Sequence, residues 1–357
     1  MASKLRVAVL FGGQSAEHDV SILSARNVVK AIDAAKYEVI PILIDRAGQW
    51  LLIELLDGAL PASVAYVGTK VCLLPGGRGR LLTVEGSAVS RELPAIDILF
   101  PVLHGLHGED GSVQGLAQMA GVPLVGCGIL GSAIAIDKDV AKRLLREAGL
   151  PVARSIAVRP GEHPVFDEVA KALGSPLFVK PARQGSSVGV SKARTDSEFH
   201  DALGEAFRFD TKVLVEEFVQ AREIECAVLE NPDGTIVVSV PGEIVTGEGH
   251  GFYTYEAKYL DEKGATINIP ALLPEPTARQ LQDMARQAFI ALGCEGLARV
   301  DFFLRPDMTV VVNEINTMPG FTDISMYPKA MAATGTSYPE LIDRLIENGL
   351  ARAKRAF

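Results

Sequence analysis

A chain of 357 residues is long for a single hydrophobic core and suits two or three packed domains. Apolar residues make up 48% and charged residues 22%, the composition of an ordinary soluble globular protein. The net charge of −9 excludes a general nucleic-acid surface, which needs a basic face, so an anionic substrate must be met by local Lys and Arg. Cys72, Cys127, Cys226 and Cys294 lie far apart with no Cys-x-x-Cys pair, which argues against zinc and against a disulfide framework. The N-terminus runs directly into a strand without the apolar stretch and cleavage site of a signal peptide, and no stretch approaches a membrane span. A cytoplasmic protein without membrane partners is expected.

In chain order, Leu5–Phe11 predicts a buried strand, turned by Gly12-Gly13-Gln14-Ser15 into a helix that runs to Ile32. The G-x-G-x-x-G spacing of a dinucleotide site is absent. Glu17 and His18 stand at the mouth of this helix, where an acid either complements the helix dipole or serves a site. Tyr37–Ile44 predicts the next strand, residues 49–93 a hairpin-rich excursion without evident chemistry, and Ile96–Val102 a further buried strand. That strand ends in HGLHGEDG, a loop placed where parallel sheets bind ligands. His104 is a candidate substrate contact there, whereas the pair His104 and His107 lacks a third metal ligand.

A second unit begins near Gly128. Asp137 is placed to cap a helix over Lys138–Ala148, and Lys138 in its first turn is at the wrong end for a cation, which a bound phosphate would explain. Strands are expected at Ser155–Val158 and Pro176–Lys180, with a helix at Phe166–Leu173 between them. The loop after Lys180, PARQGSSVG, offers consecutive backbone N–H groups and the hydroxyls of Ser186 and Ser187 to phosphate oxygens, though it is not a Walker loop. Lys212–Glu216 predicts a strand whose terminal Glu216, with Glu223, either accepts hydrogen bonds from adenine and ribose or is simply solvated. Ile224–Glu230 and Thr235–Val240 form a hairpin. Thr246–Tyr259, TGEGHGFYTYEAKY, combines hinge glycines with aromatics and predicts a lid, with Lys258 and Tyr259 at its inner end. Thr277–Leu292 predicts an amphipathic helix.

The strongest chemistry lies in a final hairpin, Leu297–Leu304 and Thr309–Ile315, around an Arg-Pro-Asp-Met turn. A strand has a period of two, so Arg299 and Asp301 share one face, as do Glu314 and Asn316. Two carboxylates and an amide on adjacent strands make an oxygen-only site suited to Mg²⁺ with bound phosphate. Pro319-Gly320 follows, allowing backbone N–H groups to approach whatever the metal holds.

Together the segments GGQSAEHDVS, LHGLHGEDG, the IDK helix, VKPARQGSSVGVSK, VEEFV…RE, YEAKY, LARVDFF and NEINTMPGFTDISMYPK resemble, in order and over essentially the whole chain, the ATP-grasp ligases and closely the D-alanine–D-alanine ligases of bacterial cell-wall synthesis. The resemblance implies an α/β and α+β chain with the three-domain ATP-grasp fold. A parallel-sheet substrate domain over 1–127 would be followed by two α+β domains, 128–218 and 219–357, with ATP between them. It implies two Mg²⁺ or Mn²⁺ ions on Asp301, Glu314 and Asn316, and ATP held by Lys138, Lys180, Ser186, Ser187, Glu216, Val219, Glu223 and Lys258. It further implies that Glu17 and His104 meet the first D-alanine, and that Ser325 and Lys258 hold the second. Arg299 and the Gly320 N–H would stabilise the oxyanion, and Tyr259 would join Glu17 and Ser186 in closing the lid. A homodimer is the family's habit. The alternatives are a D-alanine–D-lactate ligase, disfavoured by the intact Glu256–Tyr259 segment, and a non-catalytic nucleotide-binding regulator, disfavoured by retention of Lys180, Arg299, Asp301, Glu314 and Asn316.

Overall fold

The computed structural model describes residues 3–86, 88–246 and 265–356, and its elements group into three sheets. The first is built on β1 (Leu5–Gly12), whose residues from Val7 onward are buried, as a parallel strand covered on both faces requires. It pairs in parallel with β2 (Tyr37–Ile44) on one side. The stretch expected to be hairpin-rich supplies antiparallel strands β3 (Trp50–Leu52), β4 (Thr69–Leu73), β5 (Leu81–Glu85) and β6 (Ala88–Leu93), which extend the same sheet outward. β7 (Ile98–Pro101) pairs in parallel on the other side of β1, giving the order β6-β5-β4-β3-β2-β1-β7. The chain thus leaves β1 in both directions, which opens a crevice at the carboxyl ends of β1 and β7. Helices α1 (His18–Ala31) and α2 (Ser112–Ala120) start beside that crevice. Gly12, at φ +88°, makes the turn possible, because a Cβ there would lie 2.4 Å from the Ile44 carbonyl oxygen.

Two consecutive helices follow, α3 (Ile129–Ile136) and α4 (Lys138–Glu147). The second sheet contains β8 (Ser155–Val158), β9 (Leu177–Pro181), β10 (Ser191–Ala193) and β11 (Val213–Glu217) in the order β10-β9-β11-β8. Its core joins Leu177, Val179, Val213 and Val215 to residues of α5 (Phe166–Leu173) and α6 (Asp196–Phe207).

The third sheet runs β15 (Ala265–Asn268), β14 (Gly242–Thr246), β12 (Arg222–Glu230), β16 (Leu297–Leu304) and β17 (Val310–Asn316), with β13 (Ile236–Val238) also on β12. One face buries Val300 and Phe302 against α7 (Glu275–Ala291). Ala135, Ala141 and Leu145 join this core, so α3 and α4, expected with the second sheet, bury their apolar residues with the third. The other face starts apolar, with Ala227, Leu229 and Leu297 packed in one core with the first sheet, α8 (Met326–Ala333) and α9 (Tyr338–Ala356). Further along β16 the same face becomes polar at Arg299 and Asp301. Among the described residues no helix is long and apolar enough to cross a membrane.

Candidate active site

The hairpin β16–β17 sets its four polar residues in two facing pairs, Arg299 opposite Asn316 and Asp301 opposite Glu314, with a bulge just beyond. Glu225 on β12 faces Asp301 from the other side, which extends the polar row across three strands. Arg299 is clamped between them, with Nε 2.9 Å from Glu225 and two N–H groups donating to the Asp301 carboxylate at 2.7 Å each. Asp301 is only 8% exposed, so this polar row is not an ordinary solvated outer face. Among the described residues no three His, Cys, Asp or Glu side chains form a metal-binding group, because the third donor of this set is the Asn316 amide. Two carboxylates and an amide oxygen still fit a hard divalent cation.

Lys138 is the first residue of α4, which Asp137 caps by accepting the Val140 N–H. Its ammonium donates to the Gln184 carbonyl at 2.7 Å and lies 3.6 Å from Glu314, so the misplaced cation ties the Gly/Ser loop to the acidic hairpin. In that loop Ser186 and Ser187 both have positive φ, +50° and +59°, a conformation that side-chain-bearing residues adopt mainly where surrounding contacts enforce it. One such contact is made by the Ser186 hydroxyl, which donates to the Glu17 carboxylate. Glu17 is nearly buried, and it bridges from the first sheet to the phosphate-type loop of the second.

Lys180, next to last in β9, pairs with Glu216 at 2.7 Å, while Lys142 on α4 reaches the other oxygen of the same carboxylate at 3.0 Å. Glu216 is 4% exposed, which overturns the solvated alternative for this strand end. Burial alone would raise its carboxyl, but Lys142 and then Lys180 hold it down at about 2. Lys142 was not among the residues expected at the site. Its spacing of four from Lys138 was the available signal, since it places both on one side of a helix.

At the crevice of the first sheet, the His104 ring is buried and both its nitrogens are engaged. Nδ1 donates to the Met318 carbonyl (2.9 Å), and Nε2 accepts from Ser24 (3.2 Å), whose oxygen in turn accepts the Phe321 N–H at 3.1 Å. Burial lowers its basicity, consistent with this neutral form. To contact substrate directly, as expected of it, His104 would first have to release one of these bonds. Glu109, also missed, accepts the N–H groups of Gly105 (2.6 Å) and Met318 (3.0 Å) and so staples the same two loops. Burial first, and then the Glu17 charge, push its carboxyl up to about 8. His107 points elsewhere: its side chain is 53% exposed beside Asp110. Gly320 packs against Ser325, where a Cβ would lie 2.7 Å from the serine oxygen.

These residues border two adjoining clefts. Glu17, His104, Arg299, Asn316, Gly320 and Ser325 line one. Lys180, Ser187, Glu216, Val219 and Glu223 line the other, between the second and third sheets. Lys138, Ser186 and Glu314 line both. Lys258 and Tyr259, with the rest of the expected lid after Thr246, lie outside the described residues.

Two family models match this chain, the D-ala D-ala ligase N-terminus over residues 6–127 and the D-ala D-ala ligase C-terminus over residues 144–347. The chain is similar to D-alanine–D-alanine ligase A of Brucella suis biovar 1 (strain 1330), 56% identical over 355 residues and covering 99% of each chain. Among solved structures it is similar to the D-alanine-D-alanine ligase from Coxiella burnetii, with a TM-score of 0.86 at 36% identity, covering 99% of this chain and 96% of that one. It is also similar to the VanG D-Ala:D-Ser ligase from Enterococcus faecalis, with a TM-score of 0.83 at 34% identity, covering 97% and 100%. The three-sheet arrangement is accordingly the expected ATP-grasp fold, and the chain belongs to the D-alanine–D-alanine ligase family.

Proposed function

We propose that this protein joins two D-alanine molecules into D-alanyl-D-alanine in an ADP-forming reaction that supplies peptidoglycan synthesis. The observation that carries the reading is the pair of adjoining clefts sharing Lys138, Ser186 and Glu314. A nucleotide in one cleft would present its terminal phosphate to an amino acid carboxylate in the other. In this reading Glu216 and Val219 border adenine, Glu223 takes the ribose, and Lys138, Lys180, Ser186 and Ser187 meet the phosphates. Glu17 takes the ammonium of the first D-alanine. His104 acts by fixing the Met318 carbonyl beside it, and Ser325 holds the second D-alanine together with Lys258. Asp301, Glu314 and Asn316 would hold Mg²⁺ or Mn²⁺, one ion or two, which offsets phosphate charge when bound.

The chemistry follows from charge. A carboxylate resists attack by an amine, so its oxygen first takes the terminal phosphoryl group of ATP, forming an acyl phosphate as the bond to ADP breaks. The neutral amine of the second D-alanine then attacks the carbonyl carbon, and phosphate departs. Arg299 and the Gly320 N–H face the developing oxyanion, a contribution worth about 3–4 kcal/mol per donor. Arg299 suits this because Glu225 and Asp301 already hold its guanidinium in place. Tyr259, joined to Glu17 and Ser186, would close the lid against water that hydrolyses the acyl phosphate.

We further propose that the chain works as three bodies, 1–127, 128–218 and 219–357, with α3 and α4 linking the second to the third, as a homodimer in the bacterial cytoplasm. A second reading is an alternative nucleophile, D-lactate or D-serine, the latter suggested by 34% identity to the VanG D-Ala:D-Ser ligase. ADP release with Mg²⁺ and D-alanine alone, with L-alanine, and with D-alanine plus D-lactate or D-serine, products resolved by mass, separates the readings. One ADP per D-Ala-D-Ala is expected, with L-alanine inert. A dominant depsipeptide or D-Ala-D-Ser product would replace the first reading by the second, and no ADP under any condition would reject both.

A further inference from the structure

We infer that Lys142 is a positioning residue for the nucleotide, standing behind Glu216 and sharing its carboxylate so that Lys180 keeps an uncompensated positive charge toward the cleft. The inference rests on the proposed ATP roles of Lys180 and Glu216. Lys142 is 1% exposed and among the largest fully buried side chains of the described residues, and it lines neither cleft. Burying an ammonium is costly, and a Met or Leu at this helical position would fill the space without that cost. The charge therefore calls for an explanation beyond packing.

The geometry supplies one. Glu216 gives one oxygen to Lys142 and the other to Lys180, at 3.0 and 2.7 Å. With Lys180 alone, the carboxylate and ammonium would form a closed neutral pair facing the cleft. With Lys142 added, the group of three carries one net positive charge. That excess is expressed at Lys180, whose side chain is 13% exposed against 2% for Lys142. A phosphate arriving in the cleft thus meets a lysine whose counter-ion is already half engaged from behind. Splitting the two oxygens between α4 and β9 also fixes the plane of the carboxylate, and with it the end of β11 that leads to Val219. Burial depresses the basicity of Lys142 while Glu216 supports it, as an interior pair of this kind requires.

The experiment is a double-mutant cycle on the full chain: wild type, K142M, E216Q and K142M/E216Q, with KM for ATP, KM for D-alanine, kcat and melting temperature measured for each. A residue acting only through Glu216 should raise KM for ATP about 10-fold as K142M, leave KM for D-alanine within about twofold, and add less than about twofold in the E216Q background. K142M with wild-type KM for ATP, beside an impaired E216Q, overturns the inference alone. Equal multiplication of KM in both backgrounds, or loss of kcat and both KM values together with a lowered melting temperature, assigns Lys142 a merely structural role and also overturns it. An E216Q enzyme with unchanged KM for ATP removes Glu216 from the nucleotide site, and the inference falls with that assignment. If K142M does not accumulate folded, K142R keeps the cation: KM for ATP within about threefold of wild type supports the inference, and a larger rise at unchanged melting temperature overturns it.

Discussion

Glu109→Gln removes a titrating group from between the HGLHGEDG loop and the turn after β17. The Glu109 carboxyl, pushed from 4.5 up to about 8, holds its proton in the folded protein at neutral pH but not in the unfolded chain. A folded value raised in this way gives stability that is complete below 4.5 and is lost as pH rises through about 8. The full difference amounts to about 5 kcal/mol, of which about 1.4 kcal/mol is lost between roughly pH 7 and pH 9. For a chain of 357 residues that loss lowers the melting temperature by about 2 °C. Glutamine keeps an acceptor for one of the two N–H groups now bound at 2.6 and 3.0 Å and turns an NH₂ toward the other, a pH-independent cost of about 1 kcal/mol. The assay is thermal unfolding of wild type and E109Q at both pH values, supported by infrared absorption of the protonated carboxyl. Wild type should lose about 2 °C more than E109Q on the alkaline step, and its carboxyl band should vanish above roughly pH 9. Equal losses, with no carboxyl band at neutral pH that E109Q lacks, would refute the reasoning.

Arg299→Met should lower kcat by about 10²–10³-fold with a smaller change in KM for D-alanine, because the guanidinium acts on charge that develops during reaction; a variant impaired only in KM would place it in ground-state binding instead. Glu314→Gln should abolish ADP formation over a full Mg²⁺ titration while circular dichroism stays that of the wild type, and undiminished turnover would count heavily against the metal assignment. Ser186→Ala deletes the hydroxyl that holds Glu17. It should raise KM for D-alanine more than KM for ATP, and the reverse ranking would move Ser186 wholly to the phosphate side.

The acidic hairpin was legible because its information is local. A period of two puts Arg299 with Asp301 and Glu314 with Asn316 on one face whatever surrounds the sheet, and β16 spans the expected Leu297–Leu304. Lys138 announced itself by standing against its helix dipole, and Asp137 caps α4 as its sequence position required. The family resemblance added expectations that residue types alone do not carry, such as D-stereochemistry and the oxyanion role expected of Arg299.

What the sequence by itself determined, then, is the set of strands, turns and caps fixed by near neighbours, together with the motifs those elements present. The tertiary structure decided which of those groups meet. Glu216 could be read as either a solvated strand end or a ligand contact until α4 delivered Lys142 to its far oxygen. Glu109 was one acid of a loop until the Met318 N–H closed on it from the third sheet. His104 was a candidate substrate contact, and Ser24 with the Met318 carbonyl engages both of its ring nitrogens. The helices α3 and α4 follow the first domain in sequence yet bury their apolar side with β12, β16 and α7. Each of these outcomes depends on a partner far along the chain, and desolvation and ion pairing are set by whichever side chain arrives there, a quantity that periodicity and local propensity do not encode.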